Sequence, residues 1–236
     1  MSYIKQALDE MCIELNSKSS TYYNNKGIKV PRVTEIISRM IHNDSLMYWA
    51  NSLGFKGLKY RDELNRAANI GTVAHSAIEN FLKKKIKTES NIPFLGYLMW
   101  YNLITQEAGL PVELIYSEHK IACDWFGGTL DCLMKIGDKI YLIDYKTSNH
   151  ITFNYFLQLS AYLYMLFVVE GIQCDGVIVL QLDKTEPGFN EYLLDFSIEE
   201  HLIFIKKCEQ AFLSLVYAFY NISDVERSYR QINFRR

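Results

Sequence analysis

The sequence predicts an α/β fold in which a mixed β-sheet flanked by helices is preceded by an N-terminal helical arch. Three observations lead there. The apolar residues follow a helical period up to about residue 107 and a strand-like period after Pro111. Gly137-Asp138 forms a two-residue turn between two β-branched and aromatic runs, which marks a hairpin. A long apolar run at 155–169 then separates these strands from two further ones, as a buried helix does.

Taken in order, a short helix is expected at 34–41 and a second at 44–53, ended by Gly54. A long helix follows at 61–85, and Pro93 opens another that runs to Glu107. Strands are expected at 114–122, 128–136 and 139–146, antiparallel in sequence order, and then the buried helix at 154–170. Strands at 175–182 and 191–196 flank a turn at Pro187-Gly188. Ser197 with Glu200 three residues on reads as a capping box, so the last helix should span about 198–219. One domain covering 1–236 is expected, with a helical layer at about 30–110, an α/β core at about 112–220 and a basic tail at 221–236.

Hydrophobic residues make up 49% and charged residues 22%, a globular composition that excludes disordered and collagen-like chains. The formal net charge of −2 gives no global positive field, so a nucleic-acid partner would have to be held by local patches. Lys83, Lys84, Lys85 and Lys87, and Arg227, Arg230, Arg235 and Arg236, are the basic groups available, although such runs also suit a solvated helix end and a terminus. The cysteines Cys12, Cys123, Cys132, Cys174 and Cys208 are spread out with no C-x-x-C pair, which reads as reduced thiols in the cytoplasm. The start lacks the apolar core of a signal peptide, and 155–169 is interrupted by Gln158 and Ser160 and shorter than the roughly 20 residues that cross a bilayer, so no membrane association is expected.

Chemistry concentrates in the hairpin. Side chains alternate along a strand, so Asp144 and Lys146 project to one face while Ile143 and Tyr145 project to the other. The tight turn sets a register that places Asp131 opposite Asp144. Facing carboxylates repel and need a cation, and hard oxygen ligands suit Mg²⁺ or Mn²⁺. A solvated Asp–Lys–Asp salt bridge is the alternative, but the flanking Ile140, Leu142 and Ile143 speak for a covered central strand. His75 and Glu79 share one face of the long helix; by itself that histidine also suits an ordinary packed residue. Gln158 and Tyr162 share a stripe of the apolar helix and must face either a site or one another.

The ordered set His75, Glu118, Gly128-Thr-Leu-Asp131, Asp144-Tyr-Lys146-Thr-Ser and Gln158-x-x-x-Tyr162 resembles the RecB-type branch of the PD-(D/E)XK nuclease superfamily. Val30-Pro-Arg-Val-Thr-Glu-Ile, Trp49-Ala-Asn-Ser-Leu-Gly54 and Gly71-Thr-x-x-His75 narrow the resemblance towards phage exonucleases and the mitochondrial genome maintenance exonuclease. It spans Val30 to Tyr164. It implies a restriction-endonuclease-like core, with Asp131, Asp144, His75 and the carbonyl of Tyr145 as metal ligands. Asp131, Asp144 and Lys146 would be the catalytic set, Lys146 orienting or activating the attacking water. Glu79, Glu118, Thr147, Gln158 and Tyr162 would support the site or touch the DNA backbone.

Arg32 stands where the family motif has serine, and the four-cysteine pattern of the iron–sulfur members is missing, so no such cluster is expected. The implied activity is a Mg²⁺- or Mn²⁺-dependent deoxyribonuclease, an exonuclease preferring single-stranded DNA, acting in phage or cellular DNA processing; a phage-encoded enzyme would work in the bacterial host cytoplasm. Tyr22, Tyr23, Trp49, Tyr60 and Trp125 are available to stack on unpaired bases or to fill the core. The alternatives are a sequence- or structure-specific endonuclease and a non-catalytic nucleic-acid-binding subunit.

Overall fold

A computed structural model describes residues 21–42, 44–84 and 91–232. Two short strands, β1 (Tyr22–Tyr23) and β2 (Lys29–Val30), precede α1 (Val33–Met40), α2 (Asp44–Phe55), α3 (Tyr60–Lys84) and α4 (Ile92–Asn102), which continues in a wider turn over Leu103–Glu107. Then come β3 (Val112–Ala122), β4 (Gly127–Ile136), β5 (Lys139–Lys146), α5 (Phe153–Glu170), β6 (Gly176–Leu182), β7 (Phe189–Asp195) and α6 (Glu199–Gln231). The five long strands form one sheet in the order β3-β4-β5-β6-β7, antiparallel except for β5 beside β6. A mixed five-stranded sheet flanked by helices is the α/β fold expected from the sequence.

Alternation along the strands divides the core in two. Leu133 and Leu142 face α1, α5 and α6 and pack with Val33, Ile36, Leu159 and Phe212. Cys132, Met134, Ile143 and Tyr145 face the other way and pack with Ala77 and Ile78 of α3 and Phe94, Tyr97 and Trp100 of α4. The N-terminal helices therefore do not form one layer: α1 joins the α5–α6 side, whereas α3 and α4 cover the opposite face. Their periodicity is the same, and only the partners differ, which is information that no helix carries in its own sequence.

The hairpin register is the expected one, with Ile136 paired to Lys139 and Cys132 to Ile143. Gly137 adopts φ 61°, a backbone region open to glycine and required at the first position of such a turn. At α4, the Asn91 side chain accepts a hydrogen bond from the Phe94 amide at 2.9 Å, and Pro93 occupies the first turn.

Two expectations fail at α6. Ser197 does not cap it: its hydroxyl donates to Asp195 Oδ1 at 2.7 Å, and Ile198 stands at the cap with no side-chain bond to the helix. Asp195 Oδ1 also accepts from the Ser197 amide at 2.9 Å, which folds Ser197 back onto the end of β7, one residue before the cap position. Nor does the helix stop near residue 219. It runs to Gln231; Phe219 and Tyr220 are buried against the core, and beyond them Glu226 pairs with Arg39 of α1 at 2.6 Å on the surface. What was expected as a basic tail from 221 is helical up to that point. Lys85, Lys87, Arg235 and Arg236, and the side chain of Lys84, lie outside the described residues.

Among the described residues no helix is long and apolar enough to cross a membrane. The four described cysteines are buried, and burial pushes the Cys132 thiol up to about 12.

Gly128 on β4 shows how tightly α5 sits on the sheet. A Cβ there would lie 2.5 Å from Cε1 of Tyr162, a ring that is itself buried. Gly128→Ala is therefore expected to destabilise the protein by about 1–3 kcal/mol, the range for overpacking, and to move Tyr162 off Gln158. Urea denaturation checks it; an unchanged midpoint would show that the ring has room to yield.

Candidate metal and catalytic site

The site forms at one end of β4 and β5, where the ladder gives way to side-chain bonds. The Tyr145 amide donates to Asp131 Oδ2 at 2.8 Å, so the carboxylate of one strand closes the end of the next. Helix α3 passes close to this end: a Cβ at Gly71 would be in ordinary van der Waals contact with Thr147 Oγ1 at 3.6 Å. One turn on, His75 meets the strand. Its Nε2 lies 3.1 Å from the Tyr145 carbonyl oxygen, its Nδ1 3.3 Å from Glu118 Oε1 and 3.6 Å from Asp131 Oδ1.

Both ring nitrogens face acceptor oxygens, which requires a proton on each. Burial alone would lower the His75 pKa, but the hydrogen bond to Glu118 and the charge of Asp131 outweigh it and hold the imidazole up at about 9. His75, Glu118 and Asp131 each present one ligand atom, and these atoms all lie within 4.8 Å of one another. One nitrogen and two hard oxygens in that space can hold a divalent ion in place of the histidine's proton.

Glu118 is held there by an unusual backbone. It is the only non-glycine residue with positive φ among the described residues, at 49°, and it follows a register shift between Leu114 and Tyr116 in β3. Such a conformation costs on the order of 1–3 kcal/mol and persists where the surroundings enforce it, often at functional sites. It aims a carboxylate at His75 from the strand that borders Asp131.

Asp144 stands beside this group and is almost wholly buried, with 1% of its surface exposed. Its Oδ2 makes an ion pair with Lys146 Nζ at 2.5 Å but has no well-aligned hydrogen bond, and its Oδ1 accepts from Gln158 Nε2 at 3.3 Å. Burial pushes its carboxyl up to about 6 in spite of Lys146. For Lys146, burial works against the charge, but Asp144 and Asp131 outweigh it and raise its pKa, so the ammonium is firmly kept. Tyr155 places its ring 5.1 Å below that ammonium. The Gln158 amide also donates to Tyr162 OH at 3.3 Å.

The structure thus brings together His75, Glu118, Asp131, Asp144, Tyr145, Lys146, Gln158 and Tyr162, with Thr147 at the edge. Glu79 is the exception. Its carboxylate is taken by Lys83 at 2.7 Å along the surface of α3, one turn beyond His75. Glu118, read from the sequence as a support, lies within the ligand group. Tyr155 was missed, although it falls on the same stripe of α5 as Gln158 and Tyr162, a spacing that would have revealed it. Of the aromatics considered for base stacking, Trp49 and Tyr60 meet each other edge to face at 5.3 Å, and Tyr23 is exposed.

Two hollows flank the site. One of about 410 Å³ is lined by Ile37, Leu46, Met47, Tyr155 and Gln158; the other, of about 540 Å³ and more polar, begins at Thr147 and continues along Gln181 and Lys184.

The sequence matches no protein-family model, and a search of curated proteins finds no match. Among solved structures the chain is similar to SSO0001, at 14% identity and a TM-score of 0.37 over 90% of this chain and 84% of that one. It is also similar to a phage related exonuclease from Haemophilus somnus 129PT, at 12% identity and a TM-score of 0.30 over 83% of this chain and 96% of that one. At these scores neither likeness adds to what the chain's own residues show.

Proposed function

We propose that the chain is a single-domain, divalent-metal-dependent deoxyribonuclease, an exonuclease acting on single-stranded DNA. The observation that carries this reading is the convergence of His75, Glu118 and Asp131 on one point, with a partly buried lysine paired to a buried aspartate beside them. His75, Glu118 and Asp131, with Asp144 and the Tyr145 carbonyl next to them, are the groups that would hold Mg²⁺ or Mn²⁺. The donor set itself, one imidazole nitrogen and two carboxylate oxygens within 4.8 Å of one another, fits a divalent cation. When bound, such an ion lowers the pKa of water and offsets charge that builds on the phosphoryl oxygens.

The chain's own residues do the rest. Lys146 keeps its charge in a site shielded from solvent, where an ammonium stabilises a developing oxyanion more than it would in water. Asp144 and Tyr155 fix that ammonium from two sides, and Gln158 fixes Asp144. Asp131 ties the Tyr145 amide down, which directs the neighbouring carbonyl towards His75.

Support for a single strand comes from the flanking hollows. The apolar one suits an unpaired base, the polar one suits the sugar–phosphate backbone, and the site lies between α3 on one side and α5 on the other. A flexible single strand fits such a path more readily than a stiff duplex. The test is a comparison of linear and circular single-stranded DNA of equal length. Only the linear form is expected to be degraded; efficient cutting of the circle would show that no end is needed and would make the protein an endonuclease.

A further inference from the structure

β3 is an edge of the five-stranded sheet, so on its outer side no strand of that sheet supports its backbone. It nevertheless keeps Glu118 at a φ of 49°, with this carboxylate 3.3 Å from Nδ1 of His75 on α3. A strained residue on an edge strand persists only where its surroundings over-determine it. Something beside the β3–β4 ladder must do so.

The residues on either side of Glu118 supply that hold. In a regular strand, residues three apart point to opposite faces, yet the rings of Tyr116 and His119 lie stacked, with 4.0 Å between centroids and 8° between planes. The left-handed turn of the backbone at Glu118 breaks the alternation and brings the two rings to one side. His119 Nε2 then donates to Glu170 Oε1 at 2.6 Å, at the last residue of α5. Glu170 is itself firmly placed: Gly171 ends the helix at φ 70°, with its amide bonded to the Phe167 carbonyl at 3.1 Å. The His119 and Glu170 side chains are only 28% and 20% exposed, so water competes less for their bond than for a surface pair. His119 thus ties β3 to α5, while its neighbour Glu118 reaches α3.

We propose that Tyr116, His119 and Glu170 form a positioning clamp that holds Glu118 in its left-handed conformation and so presents its carboxylate to the metal centre. The proposal rests on the reading of His75, Glu118 and Asp131 as metal ligands. His119 touches neither the metal nor the substrate; it acts through Glu118. Once the bond to Glu170 is lost, Glu118 relaxes towards extended backbone and its carboxylate leaves His75.

Calorimetric titration of the full-length protein with Mn²⁺ tests this without any measurement of cleavage. His119→Ala should weaken Mn²⁺ binding by about 10–100-fold, the range for removing a group that orients a metal ligand, with the far-UV circular dichroism unchanged. Glu170→Ala opens the clamp from its other end and should do the same, which keeps the test intact if one of the two variants folds poorly. In a Glu118→Ala background, where the carboxylate is already gone, His119→Ala should change the affinity by less than about twofold. A general loosening of the fold would not show that dependence. Mn²⁺ binding at wild-type strength in both His119→Ala and Glu170→Ala would overturn the clamp and leave the metal centre standing, as would equal weakening by His119→Ala with and without the Glu118 carboxylate. No Mn²⁺ binding by the folded wild type would overturn the metal centre, and the clamp's role with it.

Discussion

Lys146→Ala is expected to lower DNA cleavage by about 10²–10⁴-fold, the range for removing a key acid–base or electrostatic group. The size follows from the surroundings of the ammonium. It is paired with Asp144 at 2.5 Å and lies over the Tyr155 ring, so alanine removes the one positive charge held at that place by these two groups. The fold should survive. Leaving one charge of a buried pair uncompensated costs up to about 3–5 kcal/mol, but the Asp144 carboxyl already titrates at about 6 and would take up a proton once its partner is gone. Cleavage rates measured alongside thermal melting separate the two effects, and a folded variant cutting at near wild-type rate would remove Lys146 from the chemistry.

Asp131→Asn should cost a similar factor in cleavage by a different route. The amide keeps an oxygen that can still accept from the Tyr145 amide, so the end of the β4–β5 hairpin is preserved, while the negative charge next to His75 and Glu118 is lost. The effect should appear in metal binding. An ion at a hundred times its Kd stabilises a folded protein by about 2.7 kcal/mol, which for a chain of this size amounts to a rise in Tm of roughly 5–10 °C. With Mn²⁺ the wild type should show that rise and Asp131→Asn little or none. His75→Ala should weaken the response to Mn²⁺ more than to Mg²⁺, since imidazole is the better ligand for Mn²⁺. Equal metal-dependent shifts in wild type and Asp131→Asn would place any bound ion elsewhere.

Much of this site was legible in the sequence, for reasons that are local. The two-residue turn at Gly137 fixes the register of β4 against β5, and strand alternation then fixes the sides taken by Asp144 and Lys146. Helical spacing on α5 likewise puts Gln158 and Tyr162 on one stripe. Glu118 was harder to rank, because its role depends on a positive φ and a register shift in β3 that a glutamate does not announce. Glu79 shows the reverse failure. It shares a helix face with His75, but a lysine one turn on takes its carboxylate, and the choice between neighbours is made by distances a sequence does not contain.

The division of the N-terminal helices between the two faces of the sheet was not legible for the same kind of reason. An amphipathic helix states that it has a partner without stating which one. Beyond residue 219, α6 meets α1 through the pair of Glu226 with Arg39, a contact far away in sequence. At Ser197 the cap position falls one residue later, on Ile198, and the serine hydroxyl is bonded to Asp195. In each case a local preference was read correctly and then overruled by a contact.

The most direct measurement is the degradation of end-labelled linear single-stranded DNA by the wild-type protein in Mg²⁺, in Mn²⁺ and in EDTA. Stepwise loss of nucleotides from an end in either metal, stopped by EDTA and restored by adding the metal back, is the expected result. Cleavage that persists in EDTA, or no cleavage with either metal by a protein shown to be folded, would contradict the assignment of this site as a metal-dependent nuclease centre.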